Sequence, residues 1–126
     1  DTRIFRKDEN TGKMRTVFDT ISDNAANAGV ISGVQKNDPQ KFDLRRVGSI
    51  VMRNNEVEET GLGAGVLNDP ITGIIWLVKR LSEYNQKISP GEIILSGSFI
   101  RPIEARKGDE FYADFGDFGF VECKFN

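Results

Sequence analysis

One stretch of this chain has the periodicity of a long helix, and it limits the folds open to the rest. Asp69 suits an N-cap, and Pro70 suits the first helical position because a proline there loses no intrahelical hydrogen bond. Apolar side chains then recur on one helical face, at Ile71, Ile74, Ile75, Val78 and Leu81. The pattern predicts one main helix over about 70–84.

The remaining apolar runs are short and are separated by turn residues, which is typical of β-strands. We expect strands over 47–52, 57–60, 92–95, 99–103, 111–115 and 118–125, with 15–21 as a further candidate. Turns are expected at 7–13, 53–56 and 106–110. One helix among many strands, without a strand–helix–strand rhythm, predicts an α+β fold. The architecture would be a β-rich roll or distorted barrel, in a single domain over residues 1–126.

The composition excludes several kinds of site. The 126 residues carry a net charge of −2 without a basic run, so we expect no nucleic-acid partner. No apolar run is long enough to cross a membrane. Histidine is absent, which removes a histidine general base and histidine metal ligands. The single Cys123 has no partner for an internal disulfide, so a cytoplasmic location is expected.

A run of small and short polar side chains occupies Asp19 to Gly29. Short polar groups lose little rotamer freedom when they are fixed, and small neighbours let a ligand approach the backbone. Such a run can therefore form the wall of a binding site. The same residues are typical of a turn in which Asp and Asn side chains cap the backbone. The residues alone favour the capped turn.

A second polar step, Ser96-Gly97-Ser98, follows the apolar run 92–95, and Arg101 lies just beyond it. Hydroxyls and backbone N–H groups at the end of a strand can bind an anion. An arginine can bind a carboxylate through two hydrogen bonds. The alternatives are an ordinary bulge and a solvated charge at a strand edge. The glycine-rich 61–65 lacks the Gly-Lys-Ser/Thr ending of a phosphate loop and predicts close backbone packing.

Four longer motifs follow one another: DTISDNAANAGVI, DLRRVG, RNNEVEETGLGAGVLNDP and GEIILSGSFIRPIEARKGDEFYADFG. From Asp1 to Phe125 the chain resembles the C-terminal part of the 2-hydroxydienoate hydratases. These enzymes share a framework with the 4-oxalocrotonate decarboxylases in the fumarylacetoacetate-hydrolase-like superfamily. The resemblance implies that superfamily's C-terminal β-rich roll. It also implies a lyase that hydrates a 2-oxo-3-enoate diacid, formed from a 2-hydroxy-2,4-dienoate, in aromatic catabolism such as homoprotocatechuate degradation.

The resemblance further implies a Mg²⁺ or Mn²⁺ cofactor bound by three acidic residues. Asp1-Thr2-Arg3 resembles the Asp-x-Arg motif that follows one of those ligands in the family. All three ligand positions, a catalytic lysine and a further aspartate are therefore expected upstream of residue 1. We expect the chain to be the C-terminal part of a longer protein and inactive alone, and we assign it no metal ligand.

Site residues are implied by the same resemblance. Asp23 and Asn24 are expected to be catalytic, close to the 2-oxo acid group of the substrate. Substrate binding is expected from five residues: Arg3, Asn27, Ser96, Ser98 and Arg101. Among these, Ser98 would hydrogen-bond the C1 carboxylate or the 2-oxo group. Because it follows the serine step closely, Arg101 would bind the distal carboxylate of a diacid.

Two other functions stay open. A 2-oxo-3-enedioate decarboxylase would use nearly the same residues, and product analysis would separate it from a hydratase. A non-catalytic fragment that packs with copies of itself is an alternative of another class. The resemblance implies homo-oligomers, and the aromatic positions Phe111, Phe115, Phe118 and Phe120 are candidates for exposed contacts.

Overall fold

A four-stranded antiparallel sheet forms the centre of the protein. The structure, a computed structural model, describes residues 7–8, 10–14, 16–22 and 24–126. The strands are β1 Gly48–Arg53, β2 Glu56–Leu62, β3 Glu110–Asp114 and β4 Phe120–Lys124, in the spatial order β2-β1-β3-β4. Together with one main helix, this sheet confirms the α+β class.

The main helix, α2, spans Ile71–Ser82. The Oδ1 atom of Asp69 accepts a hydrogen bond from the Ile71 N–H at 2.9 Å, and the Asp69 carbonyl accepts one from the Thr72 N–H. Asp69 therefore satisfies two of the N–H groups that a helix start leaves without a partner. Lys79 and Arg80 lie in the last turn, where cations interact favourably with the helix dipole.

The prediction of a strand over 15–21 is wrong, because Val17–Ser22 forms a short helix, α1. Its start is capped reciprocally. The Asp19 carboxylate accepts hydrogen bonds from the Thr16 N–H and hydroxyl, both at 2.7 Å, and the Asp19 N–H donates to Thr16 Oγ1. This arrangement is a variant of the capping box, with Asp in place of Glu. The local cap decides the structure here against the alternation of apolar and polar residues.

The strands predicted over 92–95 and 99–103 are also wrong. Both segments are described, and neither pairs with the sheet as a strand. Residues 99–104 instead cross one face of it. A Cβ atom at Gly61 would lie 2.5 Å from the Phe99 carbonyl oxygen, and the Arg53 guanidinium donates to the Glu104 carbonyl at 3.2 Å. The segment thus packs on the sheet instead of extending it, as the glycine at position 61 permits.

A tight turn joins β1 to β2, as the sequence predicts for 53–56. Asn54 and Asn55 have φ values of 54° and 67°, which asparagine tolerates better than most residues. The Asn54 amide also donates to the Asp109 carboxylate at 3.0 Å. This hydrogen bond, with a second from the Arg106 N–H, lowers the pKa of Asp109. The hairpin turn and the turn before β3 are therefore held together.

Few of the described residues are buried within the chain. Among the described residues, only Ser49, Val51 and Gly63 are buried. The chain exposes 10365 Å², whereas a folded monomer of 14.1 kDa exposes about 6,700 Å². Trp76 on α2 is 63% exposed. Within the described part of the chain, no helix is long and apolar enough to span a membrane.

The four phenylalanines expected at exposed contacts differ in burial. Phe120 is 53% exposed. Phe111, Phe115 and Phe118 are half-buried. Each packs edge-on against another ring, with centroid distances of 4.8–6.5 Å. Among the four candidates, Phe120 is therefore the exposed position, and its role in self-association stays a prediction.

We expect Gly61→Ala to destabilise the protein by about 1–3 kcal/mol, because the added methyl group must displace residues 99–100. Gly65→Ala is the matched control, since a Cβ atom there meets nothing within 4 Å. Urea denaturation of both variants measures the difference. Equal midpoints would show that the crossing segment does not lie against Gly61.

Candidate functional site

The first predicted site segment forms a strained turn directly after α1. Asn24 and Ala25 have φ values of 45° and 54°, and the Asn27 N–H donates to the Asn24 carbonyl at 3.1 Å. Alanine rarely adopts this left-handed conformation, which costs about 1–2 kcal/mol. Strain of this kind is often found at functional sites. Asn24 is exposed and Asn27 is half-buried, so both amides remain accessible.

The predicted residues Asp23 and Arg3 lie outside the described part of the chain. The catalytic role of Asp23 and the substrate-binding role of Arg3 therefore stay predictions.

The second segment, Ser96-Gly97-Ser98, forms an exposed loop. Gly97 has a φ of 99°, a backbone conformation that side chains other than hydrogen disfavour. The Ser98 Oγ atom accepts a hydrogen bond from the Ile100 N–H at 3.2 Å. Since this bond uses the hydroxyl as an acceptor, the O–H donor of Ser98 remains available to a ligand. The loop thus orients the Ser98 hydroxyl, which the sequence predicts to bind substrate.

Arg101 extends from the same segment over β2. Its Nε atom donates to Glu59 Oε1 at 2.6 Å, and Nη2 contacts the same oxygen. The Arg101 side chain is 83% exposed, whereas that of Glu59 is only 18% exposed. The guanidinium is therefore held at one edge and open to solvent at the other. Arg101 is predicted from the sequence as a site residue, whereas Glu59 is not.

Ser98 and Arg101 thus belong to one short segment fixed to the sheet. Among the described residues, no hydrogen bond or ion pair joins Asn24 or Asn27 to Ser96, Ser98 or Arg101. The structure therefore presents two predicted site segments, each with its own local geometry. Their assembly into one pocket stays a prediction.

Two open surface clefts, each of about 630 Å³, have no residue of 24–27 or 96–101 in their linings. One is lined by residues of 41–50, 60–61 and 114–118, and the other by residues of β3, β4 and the β1–β2 hairpin. Within the described residues, no group of three or more Asp, Glu, Cys or His side chains is arranged to hold a metal ion.

The chain is similar to several enzymes over most of its length. It is 50% identical over 125 residues to the 2-oxo-hept-4-ene-1,7-dioate hydratase of Escherichia coli, covering 99% of this chain and 47% of that enzyme. It is 32% identical over 107 residues to the 2-keto-4-pentenoate hydratase of Paraburkholderia xenovorans, covering 85% of this chain and 40% of the relative. No family model matches the sequence.

Solved structures agree with these relatives. The 4-oxalocrotonate decarboxylase of Pseudomonas putida G7, complexed with magnesium and adipate, superposes with a TM-score of 0.82 at 28% identity, over 94% of this chain and 44% of that one. The same enzyme with calcium and acetate gives a TM-score of 0.80 at 29% identity, over 86% of this chain and 42% of that one.

The chain belongs to the family of the 2-hydroxydienoate hydratases and 4-oxalocrotonate decarboxylases. The resemblance stated from its motifs is confirmed. The chain spans about half the length of the family members it matches. The two predicted site segments described above therefore belong to one part of the longer proteins of this family.

We expect Gly97→Ala to destabilise the protein by about 1–3 kcal/mol, because a side chain is strained at this φ. Gly29→Ala is the control: its φ is ordinary, and a Cβ atom there meets nothing within 4 Å. Thermal denaturation compares the two variants. A Gly97→Ala midpoint equal to that of the control would show that the loop does not need the glycine.

Proposed function

We propose that this chain is one part of a metal-dependent hydratase that adds water to a 2-oxo-3-enoate diacid in aromatic catabolism. The observation that carries the proposal is the 50% identity, over 99% of the chain, to a hydratase whose named substrate is a seven-carbon dioate. We further propose homoprotocatechuate degradation as the pathway, a cytoplasmic location and a homo-oligomeric state. The pathway and the homo-oligomeric state rest on the motif resemblance, and the location rests on the single Cys123.

The exposed surface supports a longer protein. The 10365 Å² of the chain exceeds the area of a compact monomer of its mass by about 3,600 Å². A standard protein–protein interface buries about 800 Å² on each partner. The excess thus suits packing against a large further part of the same protein, and we propose that this part precedes residue 1.

The same proposal places the metal ligands outside these residues. Magnesium and calcium accompany the decarboxylase structures that this chain resembles. A divalent cation in such an enzyme supplies Lewis-acid polarisation of the 2-oxo acid. Because the described residues hold no acidic cluster, the roles proposed for this chain concern the organic substrate alone.

The hydroxyl of Ser98 is proposed to donate a hydrogen bond to the 2-oxo oxygen or the C1 carboxylate. When water adds at C4 of the 2-oxo-3-enoate, a C–O bond forms at C4 as the C3=C4 π bond opens, and negative charge develops on the conjugated 2-oxo oxygen. The added water loses one proton, and protonation of the enolate at C3 completes the hydration. A donor fixed before the reaction stabilises that charge without reorganisation. The hydrogen bond from the Ile100 N–H supports this role because it orients Oγ. Ser96 is proposed as a second substrate contact.

Asp23 and Asn24 keep their proposed catalytic roles, and Asn27 and Arg3 keep their proposed roles in substrate binding. The left-handed backbone at Ala25 supports a functional role for this turn, because strain of this kind is often found at functional sites. The two described amides, Asn24 and Asn27, offer both donors and acceptors to a polar substrate.

A decarboxylase is the second candidate, because the two solved structures that match are those of a 4-oxalocrotonate decarboxylase. Product analysis on the complete, metal-loaded protein separates the two. We expect a product hydroxylated at C4 that retains all its carbon. Release of CO₂ would establish the decarboxylase instead. Conversion of no dienoate at all, with a self-associated chain in solution, would favour the non-catalytic fragment.

Arg101→Ala tests the proposed contact with the distal carboxylate. We expect KM for a diacid substrate to rise about 10- to 100-fold, since hydrogen bonds to charged groups contribute about 1.5–3 kcal/mol. KM for a monoacid dienoate should not change. Arg106→Ala is the control, because Arg106 is a comparably exposed cation paired with Glu104 on the same segment. Equal losses on both substrates would refute the contact.

A further inference from the structure

Glu59 is an unusual partner for an exposed arginine. It lies on β2 opposite Val51, one of the few buried residues among those described. Its own side chain is 18% exposed, so it cannot move as freely as a surface carboxylate. Within the described sheet, its backbone pairs with β1 alone, directly beside a register shift between Val51 and Met52. In this pair, Glu59 is the rigid member and Arg101 the adaptable one.

The geometry of the contact leaves part of the guanidinium free. Nε and Nη2 both approach Oε1 of Glu59, so this carboxylate occupies the side of the fork formed by those two nitrogens. Arginine has five N–H donors. The three that remain lie on Nη1 and Nη2, the other edge of the fork, and no described residue pairs with that edge. That edge can bind a carboxylate through two parallel hydrogen bonds.

An ion pair this exposed on one side contributes little to stability, so stability alone does not explain it. Its clearest effect is on orientation. An unpaired arginine side chain samples many rotamers. The Glu59 carboxylate, which contacts the Nε and Nη2 side of the guanidinium, removes most of that freedom before a ligand binds. The pair is also neutral overall, so no unbalanced charge remains when the outer edge is empty.

We propose that Glu59 is a positioning residue that presents the outer edge of Arg101 to the second carboxylate of a dicarboxylate substrate. The proposal rests on the proposed function, in which Arg101 makes that contact. Selectivity for diacids would then depend on a residue that never touches the substrate. The competing role for Glu59 is a simple tether that holds residues 99–104 on the sheet.

Binding of adipate and hexanoate to the complete, magnesium-loaded protein separates these roles. The two acids have equal carbon number and differ in the second carboxylate. Calorimetric titration is carried out on the parent, Glu59→Ala, Glu59→Gln, Arg101→Ala and the Glu59→Ala/Arg101→Ala double variant. Glu83→Ala is the control, because it removes the partner of another exposed arginine, Arg80, on α2.

We expect Glu59→Ala to weaken adipate binding about fivefold to tenfold while hexanoate binding changes less than about twofold. Glu59→Gln should restore most of the adipate affinity, because the amide oxygen still accepts from Arg101 Nε. In the Arg101→Ala background, Glu59→Ala should have no further effect, since both changes remove the same oriented group. Glu83→Ala should match the parent for both acids.

Other outcomes overturn the proposal. Equal losses for adipate and hexanoate in Glu59→Ala would establish the tether. An additive double variant would show that Glu59 does not act through Arg101. If Glu59→Ala does not fold, Glu59→Gln provides the test. A loss of adipate selectivity in Glu59→Gln as large as that in Arg101→Ala contradicts the positioning role of Glu59. If Arg101→Ala retains selectivity, or the parent does not bind adipate, the dicarboxylate contact itself is wrong. Failure of the proposed function is seen separately, as absence of dienoate turnover by the parent protein.

Discussion

The crossing of residues 99–101 over β2 is the contact on which the rest of the candidate site depends. The backbone at Phe99 comes so close to the sheet that only a glycine fits beneath it at position 61. Two residues further on, Arg101 meets Glu59 on the same strand. One strand thus fixes both the height of the segment above the sheet and the direction of its charged side chain. Ser98 lies one residue before the crossing, and its Oγ atom is held by a hydrogen bond from the Ile100 N–H within it.

The parts of the fold that the sequence predicts are those decided by local interactions. The start of α2 depends on Asp69 and the residues just after it, and the β1–β2 turn depends on two adjacent asparagines. The failures at 92–95 and 99–103 have one cause. An apolar run shows that a segment is extended and packed, but it does not show whether another strand offers its hydrogen bonds. At 15–21, a cap formed by Thr16 and Asp19 outweighs the apparent alternation.

The candidate site divides in the same way. The serine step and Arg101 are visible in the sequence because they are close together and their chemistry is distinctive. Glu59 is not, since it lies 42 residues from Arg101 and a glutamate in a strand resembles any solvated charge. The left-handed backbone at Ala25 is equally hidden, because alanine carries no preference for it. Tertiary contacts and strain therefore supply what residue type cannot.

The strand order β2-β1-β3 has a consequence for how such a protein can change over evolutionary time. Residues 63–109 leave the sheet from β2 and return to it as β3, and these two strands flank the same strand, β1. Residues 63–109 include α2, the serine loop and Arg101. The strand pairing that closes this long connection is made by β2, β1 and β3, which lie outside it. The free energy of closing a loop grows only slowly with its length. Insertions or exchanges within residues 63–109 can therefore reshape the proposed substrate contacts without altering strand register, provided that Gly61 and Glu59 are kept.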